Sequence, residues 1–170
     1  VVNKPAGLLS HAESRDEKNT LIDQILYYLY EKGEYIPSKE STFIPALCNR
    51  LDRNTSGVVI AGKNAHAVRQ VNDAIKNKKI RKFYRVIVCG QIKKGGRLEN
   101  LYQKNNYVNK AALAHEGKRI ITEYRPIEYT DKYTLLEVEL ITGKSHQIRL
   151  HMQSIGSPIL GDVKYGSQKE

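Results

Sequence analysis

Apolar positions recur at helical spacing in three places. Leu21, Ile22, Ile25, Leu26 and Leu29 form the first stripe. Thr20 is placed to cap it, Asp23 suits its positive end, and Gly33 suits its stop. Val68, Val71 and Ile75 form the second stripe, behind an Asn64 cap. Ile148, Met152 and Ile155 form the third, with Ser145 as the expected cap and Gly156 as the stop. Elsewhere the period is two. In Phe83 to Cys89, Tyr84, Val86 and Val88 share one face, while Phe83, Arg85, Ile87 and Cys89 share the other. Arg119 to Ile127 and Tyr133 to Ile141 read as a strand pair, with Leu136, Val138 and Leu140 inward and Glu137 and Glu139 outward. Val1 to Asn3 and Val58 to Ala61 read as short strands. Lys4 to Gly7 and Thr142-Gly143 read as turns. Residues 91–118 are the least regular part, and an excursion with short strands is expected there. Strands outnumber helices and do not alternate strictly with them. This predicts an α/β (α+β) fold: a mixed, mostly antiparallel sheet with helices packed on it.

The chain has 170 residues, enough for one domain with a core, and 40% of them are hydrophobic, which excludes a disordered chain. It has no run of about 18 apolar residues, so no membrane partner is expected. Its start has neither a signal-peptide pattern nor a Met, so further chain is expected upstream. Charge changes the picture most. Lys and Arg number 28 against 18 Asp and Glu, a net +10, which points to a polyanion. The plainer alternative is a solubility surface. Five of the seven residues from Lys76 to Lys82 are cationic, more than helix capping needs. Eleven tyrosines, with two Phe and no Trp, suit stacking on unpaired bases as well as core packing. Cys48 and Cys89 form no spaced pair and read as buried free thiols of a reducing compartment.

The candidate chemistry centres on Asp52, which lies between Arg50 and Arg53 in a polar segment before a β-branched run. Opposite charge nearby favours the ionised carboxylate. A structural salt bridge with either arginine is the competing reading. The second cluster is Thr142 to His151. Its histidines, His146 and His151, are five apart, roughly 140° around a helix, and so are poorly placed to share a metal. Arg149 lies on the shoulder of the apolar stripe, either aimed at a carboxylate or snorkelling at the surface. Asp162 follows Gly161 in a turn, where backbone bonding is the expected role.

Four stretches resemble the RluA-type family of RNA pseudouridine synthases, in the family's order. NRLDRNTSGVVI is similar to the motif HRLDxxTSG. VVNKPAG is similar to the opening strand and turn. KKIRKFYRVIVCG is similar to the Lys-x-Tyr strand. LITGKSHQIRLHMQSIGSPILGDVKYG is similar to the Gly-Arg-x-His-Gln-Ile-Arg segment and the Gly-Asp-x-x-Tyr-Gly turn. The resemblance implies a single catalytic domain over 1–170, incomplete at both ends, that isomerises uridine to pseudouridine in RNA without cofactor or metal. It implies Asp52 as the catalytic aspartate, Tyr84 as the tyrosine stacked on the base, and Arg149 as the basic partner of Asp52. Arg50, Arg53, Lys79, Arg81, Lys82 and Lys144 are the expected RNA-contacting residues. Asn49 and Lys144 depart from the family's usual His and Arg. A monomer in the cytoplasm is expected, acting on ribosomal RNA (large-subunit before transfer RNA). The competing functions are a noncatalytic RNA-binding domain on this fold and a metal nuclease using Asp52 and Asp162.

Overall fold

The computed structural model describes residues 1–12, 14, 16–39, 42–105 and 110–166. The chain divides into two compact units, Val1–Lys79 and Ile80–Glu170.

The first unit contains two small antiparallel ladders and two helices. β1 (Val2–Lys4) pairs with β3 (Gly57–Val59), and β2 (Ala46–Leu47) pairs with β4 (Ala61–Gly62). α1 (Leu21–Glu31) buries Leu21, Ile25 and Leu29, three of the five residues of the expected stripe. Its start is held as expected: Asp23 Oδ2 accepts from the backbone N–H and the hydroxyl of Thr20, at 2.8 and 2.9 Å. α2 (Ala65–Lys76) begins at the Asn64 cap, whose Oδ1 accepts from the Ala67 N–H at 2.8 Å.

The second unit is built on a five-stranded antiparallel sheet. Its strands are β5 (Phe83–Cys89), β6 (Gly96–Asn105), β7 (Lys110–Ala114), β8 (Lys118–Tyr129) and β9 (Tyr133–Leu140), in the spatial order β5-β9-β8-β6-β7. The alternation in β5 and β9 holds. Val88, Leu136 and Val138 are fully buried and pack with Ile148 and Met152 of α3 (Gln147–Ser154). Each such side chain contributes roughly 1.5–3 kcal/mol by leaving water. A second cluster joins Tyr102, Ala111, Ile120, Leu150 and Tyr165.

Two expectations are corrected. The excursion over 91–118 is more regular than its Lys-, Asn- and Gly-rich composition suggests, because it holds the ten-residue strand β6 and its partner β7. The polar residues of β6 include Arg97 and Glu99, which are exposed and form ion pairs with Glu123 and Arg119 of β8, so the apolar alternation is diluted. Ser145 does not cap α3. His146 is the capping residue, in a left-handed conformation with φ 59°, and the Lys144 N–H is instead met by the Gln147 side chain at 3.1 Å. The sequence offered Ser as the better cap, but the tertiary bonds of Gln147 set where the helix starts. Cys48 and Cys89 are free, as expected, but half-buried rather than buried.

Candidate active site

In the first unit, Asp52 sits half-buried on the loop between β2 and β3. The bonds that shape this loop run largely through its neighbours. The buried Ser10 hydroxyl donates to the Leu51 carbonyl at 2.8 Å and accepts from the Leu51 N–H at 3.1 Å. On the other side, the Arg53 carbonyl accepts from the Gly7 N–H at 2.9 Å and from Lys4 Nζ at 3.0 Å. Thr55 N–H donates to the Asp52 carbonyl at 3.0 Å and closes a turn. Both flanks of Asp52 are therefore pinned to the segment from Lys4 to Ser10. The motif VVNKPAG and the motif NRLDRNTSG act as one structural piece.

Lys4 is wholly buried, and its ammonium also donates to the carbonyls of Pro5 and Leu8, at 2.9 and 2.6 Å. Burial pulls its pKa down and the negative charge of Asp52 pulls it back up, so the two groups feel each other directly. Sequence reasoning missed this role and placed Lys4 only in a turn. The signal was a lysine between a strand and Pro-Ala-Gly, where a surface lysine needs no such rigid setting. Asn49 continues the ladder where the backbone leaves it. Its Oδ1 accepts from the Ile60 N–H at 2.8 Å and its Nδ2 donates to the Val58 carbonyl at 3.1 Å. A short polar residue at this position thus still ties the loop to β3.

The arginines beside Asp52 go different ways. Arg53 pairs with Glu17 at 2.9 Å. Arg50 is exposed, has no ion pair among the described residues, and its charge pushes the His11 pKa down, adding to the larger effect of burial.

In the second unit, Tyr84 lies on β5 opposite Val138 and packs half-buried at the rim of the Val88–Leu136–Val138 cluster. Arg149 projects from the more open side of α3. Its Nε and Nη2 each donate to Asp162 at 2.7 Å, and its guanidinium stacks 4.9 Å from the Tyr165 ring centre. Asp162 Oδ1 also accepts from the backbone N–H of Lys164 and Tyr165, at 3.0 and 3.1 Å. Burial raises the Asp162 pKa. The Arg149 bonds and those N–H groups outweigh it and leave the carboxyl below its usual range. Asp162 thus organises the Gly-Asp-x-x-Tyr-Gly turn, as expected. With both oxygens engaged, it is unsuited to a metal, and no metal-binding group of three His, Cys, Asp or Glu occurs among the described residues. Tyr165 completes the assembly: its hydroxyl accepts from the Ala111 N–H at 2.8 Å and meets His146 Nδ1 at 2.9 Å.

Behind Arg149, Gln147 is fully satisfied. Its amide donates to Ile121 O and Thr122 Oγ1, both at 2.9 Å, and its carbonyl accepts from Thr142 Oγ1 at 2.9 Å as well as from the Lys144 N–H. His151 Nδ1 meets the same Thr122 oxygen at 2.7 Å. His146 and His151 therefore serve separate contacts.

The expected RNA-contacting residues divide in the same way. Lys79 and Lys144 are exposed, Lys82 is half-buried, and none has an acidic partner among the described residues. Arg81, by contrast, forms a bidentate pair with Glu139 at 2.8 and 2.7 Å and covers the Phe83 ring.

A family model described as RNA pseudouridylate synthase matches residues 1–154. An uncharacterized RNA pseudouridine synthase of Aquifex aeolicus is 36% identical over 98% of this chain and 52% of its own length. A ribosomal large subunit pseudouridine synthase D of Borreliella burgdorferi is 35% identical over 98% of this chain and 51% of its own. The chain spans about half the length of the curated relatives it matches. Among solved structures, human RNA pseudouridylate synthase domain containing 1 matches with a TM-score of 0.77 at 20% identity, covering 98% of this chain and 65% of that one. Human RNA pseudouridylate synthase domain containing 4 matches at 0.73 and 24%, with the same coverage. At such identities the likeness shows the fold.

Proposed function

The chain belongs to the RNA pseudouridylate synthase family, and from that premise we propose that it isomerises specific uridines to pseudouridine in RNA. The observation that carries the proposal is the Asp52 loop, pinned at Leu51 and Arg53 by Ser10, Lys4 and Gly7. Such a clamp holds the Asp52 backbone in a fixed place and so limits where its carboxylate can sit.

The target base leaves its stack, since its ring and C1′ cannot be reached inside a helix. Tyr84 stacks on it. Asp52 attacks, at C1′ or at the ring, and the N-glycosidic bond breaks. The uracil turns, C1′ bonds to C5, the bond to Asp52 breaks and returns its electron pair to the carboxylate, the C5 proton leaves and N1 gains one, so the composition does not change. The steps need no cofactor and no metal. Arg149 serves as the basic residue of the reaction. Asp162 supports this role, because its two bonds orient the guanidinium and use two of its five donors. Arg50, Arg53, Lys79, Lys82 and Lys144 contact the RNA, and Arg81 joins them through whatever part of its charge Glu139 leaves exposed.

Both units act as parts of one catalytic domain, monomeric and cytoplasmic, with large-subunit ribosomal RNA as the substrate. The names of the relatives support ribosomal over transfer RNA. No helix among the described residues is long and apolar enough to cross a membrane.

Pseudouridine mapping of bulk RNA treated with wild type and with Asp52→Asn tests the proposal. New pseudouridines with wild type alone are the expected result. If both proteins bind RNA and both leave uridine unchanged, the chain is a noncatalytic RNA-binding domain instead. Cleaved RNA would point to a nuclease.

A further inference from the structure

The arginines and lysines of the second unit are treated differently. On the sheet and just before it, four arginines, Arg81, Arg97, Arg119 and Arg125, each pair with a glutamate: Glu139, Glu123, Glu99 and Glu137 in turn. Lys82, Lys118 and Lys144 have no acidic partner among the described residues. These three lysines converge. A concave pocket of about 540 Å³ is lined by Tyr102 and Gln103 of β6, Lys118 at the start of β8, and Gly143, Lys144 and Ser145 before α3. Among the described residues its lining contains no carboxylate. Lys82 Nζ lies immediately behind Gly143, where a Cβ would come within 2.8 Å of it. Burial lowers the Lys82 pKa, as befits an ammonium short of both water and a counter-ion.

The walls are stiff. Tyr102 is buried and opposes Lys118 in the ladder, and its hydroxyl donates to the Ser145 carbonyl at 3.3 Å. Gly117, also on the wall, has φ +139°, and a Cβ there would fall 2.3 Å from the Tyr102 carbonyl oxygen. The turn is held by Gln147 through Thr142 and Lys144. A preformed, polar and cationic cavity of this size suits a nucleotide-sized anion.

We infer that this pocket is a backbone subsite for the RNA, in which Lys118 and Lys144 hold phosphodiester groups and Lys82 adds charge from behind Gly143. It contains none of Asp52, Tyr84 or Arg149, so it positions the RNA and does not take part in the chemistry. The inference rests on RNA being the substrate.

The test measures binding of a large-subunit ribosomal RNA fragment across a salt series, for wild type, Lys118→Gln, Lys144→Gln, the double variant, and Arg125→Gln as a paired-arginine control. Each lysine variant should weaken binding roughly five- to tenfold near 0.1 M salt and lower the slope of log affinity against log salt by about 1; the double should lower it by about 2. Arg125→Gln should match wild type. Folding of each is checked by its melting temperature. If wild type binds RNA and the lysine variants keep its slope, the subsite is overturned while the function stands. If wild type shows no salt-dependent RNA binding, the function itself fails. If uridine monophosphate binds wild type but not Lys118→Gln, while RNA binding is the same for both, the pocket serves a small phosphate and the RNA assignment falls.

Discussion

Asp52 and Asp162 make an instructive pair. Asp52 has an arginine one residue after it and another two residues before it; Asp162 has none within ten residues. Yet Asp162 carries the bidentate arginine, Arg149, with two backbone N–H groups besides, and Arg53 turns away to Glu17. Asp162 is committed to holding its turn together. The Asp52 loop is held by backbone bonds to Ser10, Lys4 and Gly7. One carboxylate organises its own turn; the other sits on a loop whose backbone is pinned on both sides. Adjacent charge in the sequence therefore says little about where an arginine goes, because side chains that are neighbours along a loop can point in different directions.

The largest break in this comparison comes from exchanging the two carboxylates for amides. Asp52→Asn should lower pseudouridine formation by at least roughly 10³-fold, as loss of a reacting group does. Asp162→Asn should lower stability. It leaves the Arg149 guanidinium in a partly buried site without its counter-charge, at a cost of about 3 kcal/mol, readable by urea denaturation. The wild-type Asp162 carboxyl is held below its usual range, so its contribution is present above about pH 4 and fades as pH falls through the lowered value; the amide variant should lose that acid limb.

A comparable effect is set by His151. Its ring is fully buried, and burial pushes its pKa down to about 4 from an ordinary 6.5. The unfolded chain takes up the proton first. Stability is therefore complete above about pH 6.5 and is lost as pH falls toward 4, by about 3 kcal/mol in all. His151→Gln should flatten most of that slope in denaturation measured across the range. His11, whose pKa is also lowered by burial, adds a smaller change of the same sign.

The smallest expected effect sharpens the comparison most. Ser10→Ala removes the clamp on Leu51 and leaves a buried N–H and C=O unmet, costing about 1–3 kcal/mol. If the clamp presents Asp52, kcat should fall beyond what the stability loss explains, with RNA affinity unchanged. A variant that melts lower and keeps wild-type kcat would show that the clamp only stabilises the loop.

Much of this was legible in the chain itself. The alternation in Phe83–Cys89 and Tyr133–Leu140 fixed both strands and their buried faces, because period-two patterning leaves one register that buries the apolar set. Thr20 with Asp23, and Asn64, located two helix starts, since capping is local chemistry. The four motifs identified the family and pointed to Asp52, Tyr84 and Arg149. Tertiary structure decided what no window of neighbours contains. Lys4 became a buried ammonium caged by three carbonyls, one of them from Arg53. Gln147, through bonds to Ile121, Thr122 and Thr142, moved the start of α3 past the better local cap at Ser145. Lys82, Lys118 and Lys144, far apart in the sequence, were gathered around Gly143. The physical reason is the same in each case. Propensity, patterning and capping act over a few residues, whereas the partner of a charge or of a buried polar group is whatever the folded chain brings within about 3 Å.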